Sequence, residues 1–474
     1  MGKIISSYIL PHPPLIVPEV GKGEENRASL TVNAVKRAAQ DIKNDKPTTV
    51  IVTTPHAPIF EDYIYISVSE SLYGDLGRFG SPDVRLSFTN NLELVNKIIE
   101  YANGEGIYSG GLDDSLIRKY RISKDLDHGA LVPLYFINKE LKASGEAGIK
   151  LVHISIAGLS FQELYRFGMC ISKAVNESDE RVVFVASGDL SHRLSHDGPY
   201  EYNKRGKEFD ELLISSVKEL EVERLFEIDE DFCESAGECG LRSFLIMFGA
   251  LDGYDVRPEV YSYEGPLGVG YGVARMAVGE TNPHRVVLEK IIKKNMEKIE
   301  NIRNGEDPYV ALARRTLEAY VKDRSVISPP EWLPEEITGN AAGTFVSIKK
   351  QGQLRGCIGT TGPTRKNIAE EIIYNAISSG TRDPRFQPVQ RDELESLVYS
   401  VDVLNESEPI ESIKELDVIK YGVIVKSGTR SGLLLPNLEG VDTPEKQVSI
   451  ALQKAGIKPD ERYTMERFEV IRHK

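Results

Sequence analysis

The chain has 474 residues, 41% of them hydrophobic and 27% charged, with a formal net charge of -14. That length implies two or three domains, and the composition is that of a globular chain with an ample core. The acidic balance argues against a nucleic-acid partner, because a phosphate-binding groove needs clustered Lys and Arg. No apolar run reaches the roughly 18–20 residues that cross a bilayer, so no membrane segment is expected. The four cysteines, Cys170, Cys233, Cys239 and Cys357, are widely separated and form no CxxC pair. That usage fits a reducing, cytoplasmic setting better than a disulfide framework.

Along residues 1–280, short β-branched runs alternate with helix-like stretches. Ile4–Leu10, Thr48–Thr54, Leu151–Ile156 and Val182–Ala186 have the length and composition of strands. Between the first two lies Glu24–Lys43, whose Leu30, Val32, Val35, Ala38, Ala39 and Ile42 recur at helical spacing. Strand, helix, strand in that order predicts an α/β domain with a parallel or mixed sheet flanked by helices. Residues 281–306 are Lys/Glu-rich and read as a helical linker. From residue 307 to 474 a smaller α+β domain is expected, with a helix over Tyr309–Lys322 and a Pro-rich turn after it. Thr344–Lys349 and Leu354–Ile358 then read as a hairpin about Gln351-Gly352.

Two histidines occupy matching settings in the first domain. The first strand runs into Pro11-His12-Pro13-Pro14, and the second into Thr54-Pro55-His56-Ala57-Pro58. Proline restricts the backbone there, and the crevice beyond strand carboxyl ends is where open α/β sheets bind ligands. Two histidines from adjacent parallel strands would meet in that crevice. A third strand leads to Ser187-Gly188-Asp189-Leu190-Ser191-His192, and His128 lies in Asp127-His128-Gly129 before the apolar stretch Ala130–Ile137. A carboxylate would complete a two-histidine metal site with open positions, the pattern of non-haem Fe(II) oxygenases. Glu238, before an apolar helix from Leu241, and Glu264, at a strand end, are the two candidates. Taken alone, Glu238 reads equally as a carboxylate favoured by a helix N-terminus. Gly268-Val269-Gly270-Tyr271-Gly272 is not followed by a helix start and reads as close backbone packing, not as a dinucleotide loop.

Taken in order, Pro11-His12-Pro13-Pro14, Thr54-Pro55-His56-Ala57-Pro58, Asp127-His128-Gly129, Gly188-Asp189-Leu190-Ser191-His192 and Ala236-Gly237-Glu238-Cys239-Gly240 resemble the class III extradiol ring-cleavage dioxygenase family. That is the family of the LigB-type catalytic subunit, to which the Memo proteins are related. The resemblance covers residues 1–280. It implies that His12, His56 and Glu238 bind Fe(II), that His192 is the acid–base residue and that His128 contacts a substrate hydroxyl. The implied partners are a small aromatic, catechol-like or phenolic substrate and O2. An imidazole suits the proton transfer because it titrates near neutral pH, and His196 is a second-choice base. The same ligands accept Zn or another divalent metal.

In the second domain, Leu354-Arg355-Gly356-Cys357-Ile358-Gly359, Asp383-Pro384-Arg385-Phe386, Gly432-Leu433-Leu434-Leu435-Pro436 and Lys454-Ala455-Gly456 resemble the AMMECR family over residues 307–470. Arg355 shares a strand face with Cys357, but a thiolate needs a base or positive neighbours, and the domain has no histidine before His473. Cys357 therefore reads as a half-buried strand cysteine in preference to a nucleophile. The fusion resembles the AmmeMemoRadiSam system, which implies a separate radical SAM protein as partner, since no Cx3Cx2C motif occurs here. The expected function is a non-haem Fe(II)-dependent, extradiol dioxygenase-like oxidoreductase. The alternative is a metal-binding or scaffold component of such a modification system without ring cleavage. A homo-oligomer is compatible with the sequence, which does not set its order.

Overall fold

Among the described residues, the strand-forming runs of this chain gather into an eight-stranded, a seven-stranded and a two-stranded sheet. The computed structural model describes residues 2–143, 148–350, 352–438 and 440–474. The chain divides into two compact units, Met1–Ile292 and Lys293–Lys474. The division falls inside the helix Val287–Asn304, which occupies much of the 281–306 stretch.

The strands of the first unit are, in chain order, β1 (Lys3–Leu10), β2 (Thr49–Thr54), β3 (Ile64–Tyr65), β4 (Ser71–Leu76), β5 (Ser81–Asn90), β6 (Ser109–Gly110), β7 (Lys150–Ser155), β8 (Arg181–Ser187), β9 (Tyr254–Glu264) and β10 (Tyr271–Thr281). Among the described residues, eight of them form one sheet in the order β4-β5-β7-β2-β8-β1-β10-β9. Pairing is parallel from β5 through β7, β2 and β8 to β1, and antiparallel at both edges. The sheet is therefore mixed, with helices on its faces. It also corrects one expectation. β1 and β2 are not neighbours, because β8 lies between them and pairs with both. Strand order is set by long-range crossovers that local periodicity does not report.

Central strands are buried on both faces, as parallel strands under helices must be. In β8, Val182, Phe184 and Ala186 enter one core while Val183 and Val185 enter the other, following the two-residue period of a strand. The helix Ser29–Asp45 covers one face with Val32, Val35, Ala38, Ala39 and Ile42. Leu30, expected on that stripe, is 58% exposed because it stands in the first turn of the helix. On the other face, helices Phe161–Asn176 and Leu241–Ala250 touch backbone to backbone. A Cβ on Gly168 would sit 2.0 Å from the Ile246 carbonyl oxygen, and one on Gly249 would sit 1.9 Å from that of Tyr165. Only hydrogen side chains permit this approach, which fixes where the segment entering the second helix lies.

The Gly268–Gly272 stretch is indeed a place of close packing. A Cβ on Gly270 would meet Asp210 Oδ2 at 2.1 Å, and one on Gly272 would meet Leu190 Cδ1 at 2.8 Å. In the second unit, β11 (Thr344–Lys350), β12 (Gln353–Gly359), β13 (Leu397–Leu404), β14 (Glu408–Ile410), β15 (Tyr421–Ser427), β16 (Arg430–Leu434) and β17 (Thr464–His473) pair antiparallel. Their order is β12-β11-β13-β17-β15-β16, with β14 beside β17. The hairpin is present, with Ser347 opposite Cys357, although Gln351 of its turn lies outside the described residues. The helix Pro308–Asp323 precedes this sheet.

Asp210 supports the floor of the region beyond β8. Its Oδ1 accepts the Ser191 N–H at 2.8 Å and its Oδ2 accepts the Tyr263 hydroxyl at 2.8 Å. Burial outweighs both bonds and pushes its carboxyl up to about 7. An unfolded aspartate titrates near about 4. Between those values the folded chain holds a proton that the unfolded chain lacks, so this group's contribution is full at low pH and is lost as pH rises to about 7. Asp210→Asn is expected to flatten the stability–pH curve there by up to about 1.4 kcal/mol per pH unit, read from urea midpoints. An unchanged slope would contradict the assignment.

Candidate metal centre

The order β2-β8-β1 sets three carboxyl ends side by side. His12 leaves β1, His56 leaves β2, and Ser187 to His192 leave β8. From the next layer, the helix His128–Ala143 begins with its own histidine at the same place. The imidazoles of His12 and His56 have ring centroids 4.7 Å apart, those of His56 and His128 4.1 Å apart, and those of His12 and His128 5.5 Å apart. One donor nitrogen from each of these three lies within 4.8 Å of the others. Among the described residues this is the set of histidine, cysteine or carboxylate donors that converges as a possible metal site.

Hydrogen bonds settle which nitrogens face inward. Ser187 Oγ donates to the Gly129 carbonyl at 2.5 Å, so it must accept from His12 Nδ1, 2.9 Å away. A neutral His12 then carries its proton on Nδ1 and presents a lone pair at Nε2. That nitrogen is 2.9 Å from His56 Nε2. A cation between these two nitrogens would meet the lone pair of His12 and, with the His56 proton on Nδ1, that of His56. Burial, and after it His56, holds His12 well below its ordinary value. Burial, and after it His128, brings His56 down to about 4. His128 is lowered by burial and by His12. Uncharged imidazoles are the form that ligates metals, so the donor set fits a resident divalent ion.

His192 stands across the cluster. Its Nδ1 faces the Gly237 carbonyl oxygen, which can only accept, so Nδ1 carries the proton and Nε2 is the basic end. Asp189 lies between the two sides, with Oδ2 3.9 Å from both His12 Nε2 and His192 Nε2. Its Oδ1 accepts the His12 backbone N–H at 2.9 Å. Burial raises Asp189, against the pull of that N–H and of His192.

Glu238 and Cys239 enter from the segment before the helix Leu241–Ala250. Glu238 Oε2 accepts the Leu241 N–H at 2.7 Å, the helix-start role open to a carboxylate at that position. It lines a cavity of about 620 Å³ with Arg193 and Cys233, and burial raises its carboxyl. The Cys239 thiol faces the histidines, with Sγ 3.7 Å from His12 Nε2. Burial and then Asp189 push that thiol well up. Glu264 is placed elsewhere, accepting the Thr31 N–H at 2.6 Å and hydroxyl at 2.7 Å. His196 packs against Tyr202, with ring centroids 4.2 Å apart and the planes tilted by 40°.

Asp127, of the Asp127-His128-Gly129 motif, has a buried partner behind the cluster, His153, that carries no recognisable signal in the sequence. His153 in β7 meets Asp127 Oδ2 through Nε2 at 3.0 Å and Ser67 Oγ through Nδ1 at 2.9 Å. Asp127 Oδ1 accepts the Thr54 hydroxyl at 2.6 Å, and the Thr54 hydroxyl oxygen accepts the His56 N–H at 3.2 Å. Burial alone would raise Asp127, but His153 and Thr54 outweigh it and hold the carboxyl below its usual range. One carboxylate thereby ties the His56 loop and the His128 helix to β7. In the second unit, Cys357 accepts a hydrogen bond from the Ser347 hydroxyl at 3.3 Å, and burial raises its thiol. All four cysteines are free thiols.

Residues 6–274 match the family described as the catalytic LigB subunit of aromatic ring-opening dioxygenase, and the chain belongs to that family. Residues 310–473 match the AMMECR1 family, so the two domains occur in one chain. Protein CA_C1420 of Clostridium acetobutylicum is 48% identical over 469 residues, 98% of each chain. A protein of Thermotoga maritima is 53% identical over 172 residues, covering 36% of this chain and 99% of that one. A crystal structure of the uncharacterized protein PH0010 from Pyrococcus horikoshii is similar to 35% of this chain, at 36% identity and a TM-score of 0.33, and is covered over 88% of its own length. Among the described residues, no helix is long and apolar enough to cross a membrane.

The tautomer assignment has a direct test. Ser187→Ala removes the acceptor that keeps the His12 proton on Nδ1, and is expected to weaken divalent-metal affinity about 10- to 100-fold. Competition against a chromophoric chelator measures this, and an unchanged affinity would contradict the assigned roles.

Proposed function

We propose that the first unit is a non-haem Fe(II)-dependent, extradiol dioxygenase-like oxidoreductase acting on a catechol-like or phenolic substrate. The observation that carries this reading is the meeting of His12, His56 and His128 at one point, within a chain of the LigB-subunit family. In it, His12, His56 and Glu238 hold the metal. Fe(II) there would supply the one-electron chemistry that lets O2 react with an aromatic ring. His192 Nε2 takes a proton from a substrate hydroxyl as general base. The resulting imidazolium is stabilised by the Gly237 carbonyl at Nδ1 and by Asp189 Oδ2, 3.9 Å from Nε2. His128 hydrogen-bonds the substrate oxygen as charge develops on it. The buried Asp127–His153 pair keeps the His56 and His128 loops in register with each other.

A second reading has its own support. Cys239 Sγ lies 3.7 Å from His12 Nε2, whereas Glu238 Oε2 is engaged by the Leu241 N–H. Two imidazoles and a thiolate favour softer ions such as Zn or Cu. Fusion to an AMMECR1 domain then fits a metal-binding component of a modification system that works with a separate radical SAM protein.

Anaerobic purification, metal analysis and O2 uptake with simple catechols separate the two. The dioxygenase reading expects about one iron per chain, lost in Glu238→Gln, and O2 consumption that falls at least about 100-fold in His192→Gln, the low end of a general-base contribution. Metal lost in Cys239→Ser but kept in Glu238→Gln, with no O2 uptake by the loaded protein, would replace it with the second reading.

A further inference from the structure

Two aromatic side chains outside the cluster reach its histidines from separate parts of the fold. Phe79 ends the short turn between β4 and β5, with its ring centroid 5.2 Å from that of His128 and the planes at 59°. Tyr200 lies in the loop after β8, with its ring centroid 5.2 Å from that of His192 and the planes at 56°. Phe79 is 39% exposed and Tyr200 55% exposed. Single exposed aromatics need no explanation. Here one lies against His128 of the cluster and the other against His192 across from it, while each leaves a substantial part of its surface in water.

Both are carried on braced backbone. The turn under Phe79 is held by the Gly77 N–H on Asp75 Oδ1 at 2.7 Å, and closed by the Gly80 N–H on the Gly77 carbonyl at 3.0 Å. Gly80 takes the left-handed conformation, φ 81°, that the turn requires. The loop bearing Tyr200 is tied down by the Leu194 N–H on the Gly268 carbonyl and the Asn203 N–H on the Arg193 carbonyl, both at 3.0 Å. Within it, Gly198 rests on Gly268, where a Cβ on the former would lie 3.2 Å from the Cα of the latter. The rings are thus presented from fixed supports. Pairs of aromatic rings attract at centroid separations of roughly 4.5–7 Å in tilted or offset geometries.

We propose that Phe79 and Tyr200 are aromatic contacts for the substrate, one beside His128 and one beside His192, packing against a flat aromatic ring as it reaches the histidines and so favouring flat rings among what enters. The proposal rests on the oxidoreductase reading only for what happens to the ring afterwards; the grip itself needs no metal. Aromatic rings attract flat aromatic partners in tilted or offset geometries, so a planar substrate is favoured over a saturated ring of the same size.

The test is a titration of the full chain with 4-nitrocatechol, followed by difference absorbance, in metal-free and iron-loaded forms. Phe79→Ala and Tyr200→Ala are each expected to weaken binding roughly three- to tenfold, as expected for loss of one aromatic pair. Phe79→Tyr and Tyr200→Phe should restore it, with metal content and Tm unchanged throughout. If the wild type binds the ring and both Ala variants bind it as tightly, the contacts are overturned while the oxidoreductase reading survives. If iron adds nothing to ring binding but the Ala variants still lose it, the contacts stand and the oxidoreductase reading falls. Loss of metal from the Ala variants would make these side chains supports of the histidines and overturn the proposal. So would a wild type that binds the ring in neither form.

Discussion

Parallel pairing of β8 with both β1 and β2 is the constraint on which the rest of the first unit depends. It sets three strand ends level, so the chain must leave the sheet three times within one small area. Backbone groups just beyond those ends are shielded from water and lack a ladder partner. Leaving one buried and unpaired costs about 1–3 kcal/mol. Side chains supply the partners. Asp189 takes the His12 N–H, the Thr54 hydroxyl takes the His56 N–H, and the Ser187 hydroxyl takes the Gly129 carbonyl. Each of these groups also fixes an imidazole or the residue beside one. Satisfying the exits of the sheet and aiming the histidines are therefore the same structural act.

The electrostatics follow from that crowding. Several imidazoles crowded together, with His12 buried and His128 half-buried, cannot all be protonated, and desolvation with mutual repulsion holds His12, His56 and His128 low. Neutral rings with inward lone pairs are then the ordinary state of the cluster at neutral pH. Two carboxylates play different parts. Asp127 stays ionised because His153 and Thr54 stabilise its charge, whereas Asp189 is raised because burial outweighs the bonds it makes. A charged anchor on one side and a proton-tolerant carboxylate on the other give the site a polarity between β7 and β8.

Features that depend on neighbours in sequence could be read from it. Proline-flanked His12 and His56, the strands that carry them, and the hairpin of the second unit each have a local signature. Features that depend on distant pairing could not. Nothing in residues 1–60 says that β8 will separate β1 from β2, and this is what brings His192 and Asp189 into the same crevice. His153 was hidden because a lone histidine in a strand buried on both faces breaks no periodic pattern. Cys239 was hidden by its neighbour: adjacent residues in a loop have no fixed sides, and the segment is laid down by distant partners, with Ser191 on the Ala236 carbonyl, His192 on the Gly237 carbonyl and Gly188 against Gly240. Leu30 shows the converse error, a residue with the right spacing that stands in the exposed first turn of its helix.

The central claim is that one ion is held where His12 and His56, leaving the ends of β1 and β2, meet. Anomalous scattering at the iron edge, from crystals of the chain loaded anaerobically with Fe(II), tests it most directly. The account predicts one peak per chain, within about 2.0–2.3 Å of the Nε2 atoms of both His12 and His56, as expected for metal–imidazole bonds. Iron bound away from both nitrogens, or no peak in crystals shown to contain iron, would contradict it.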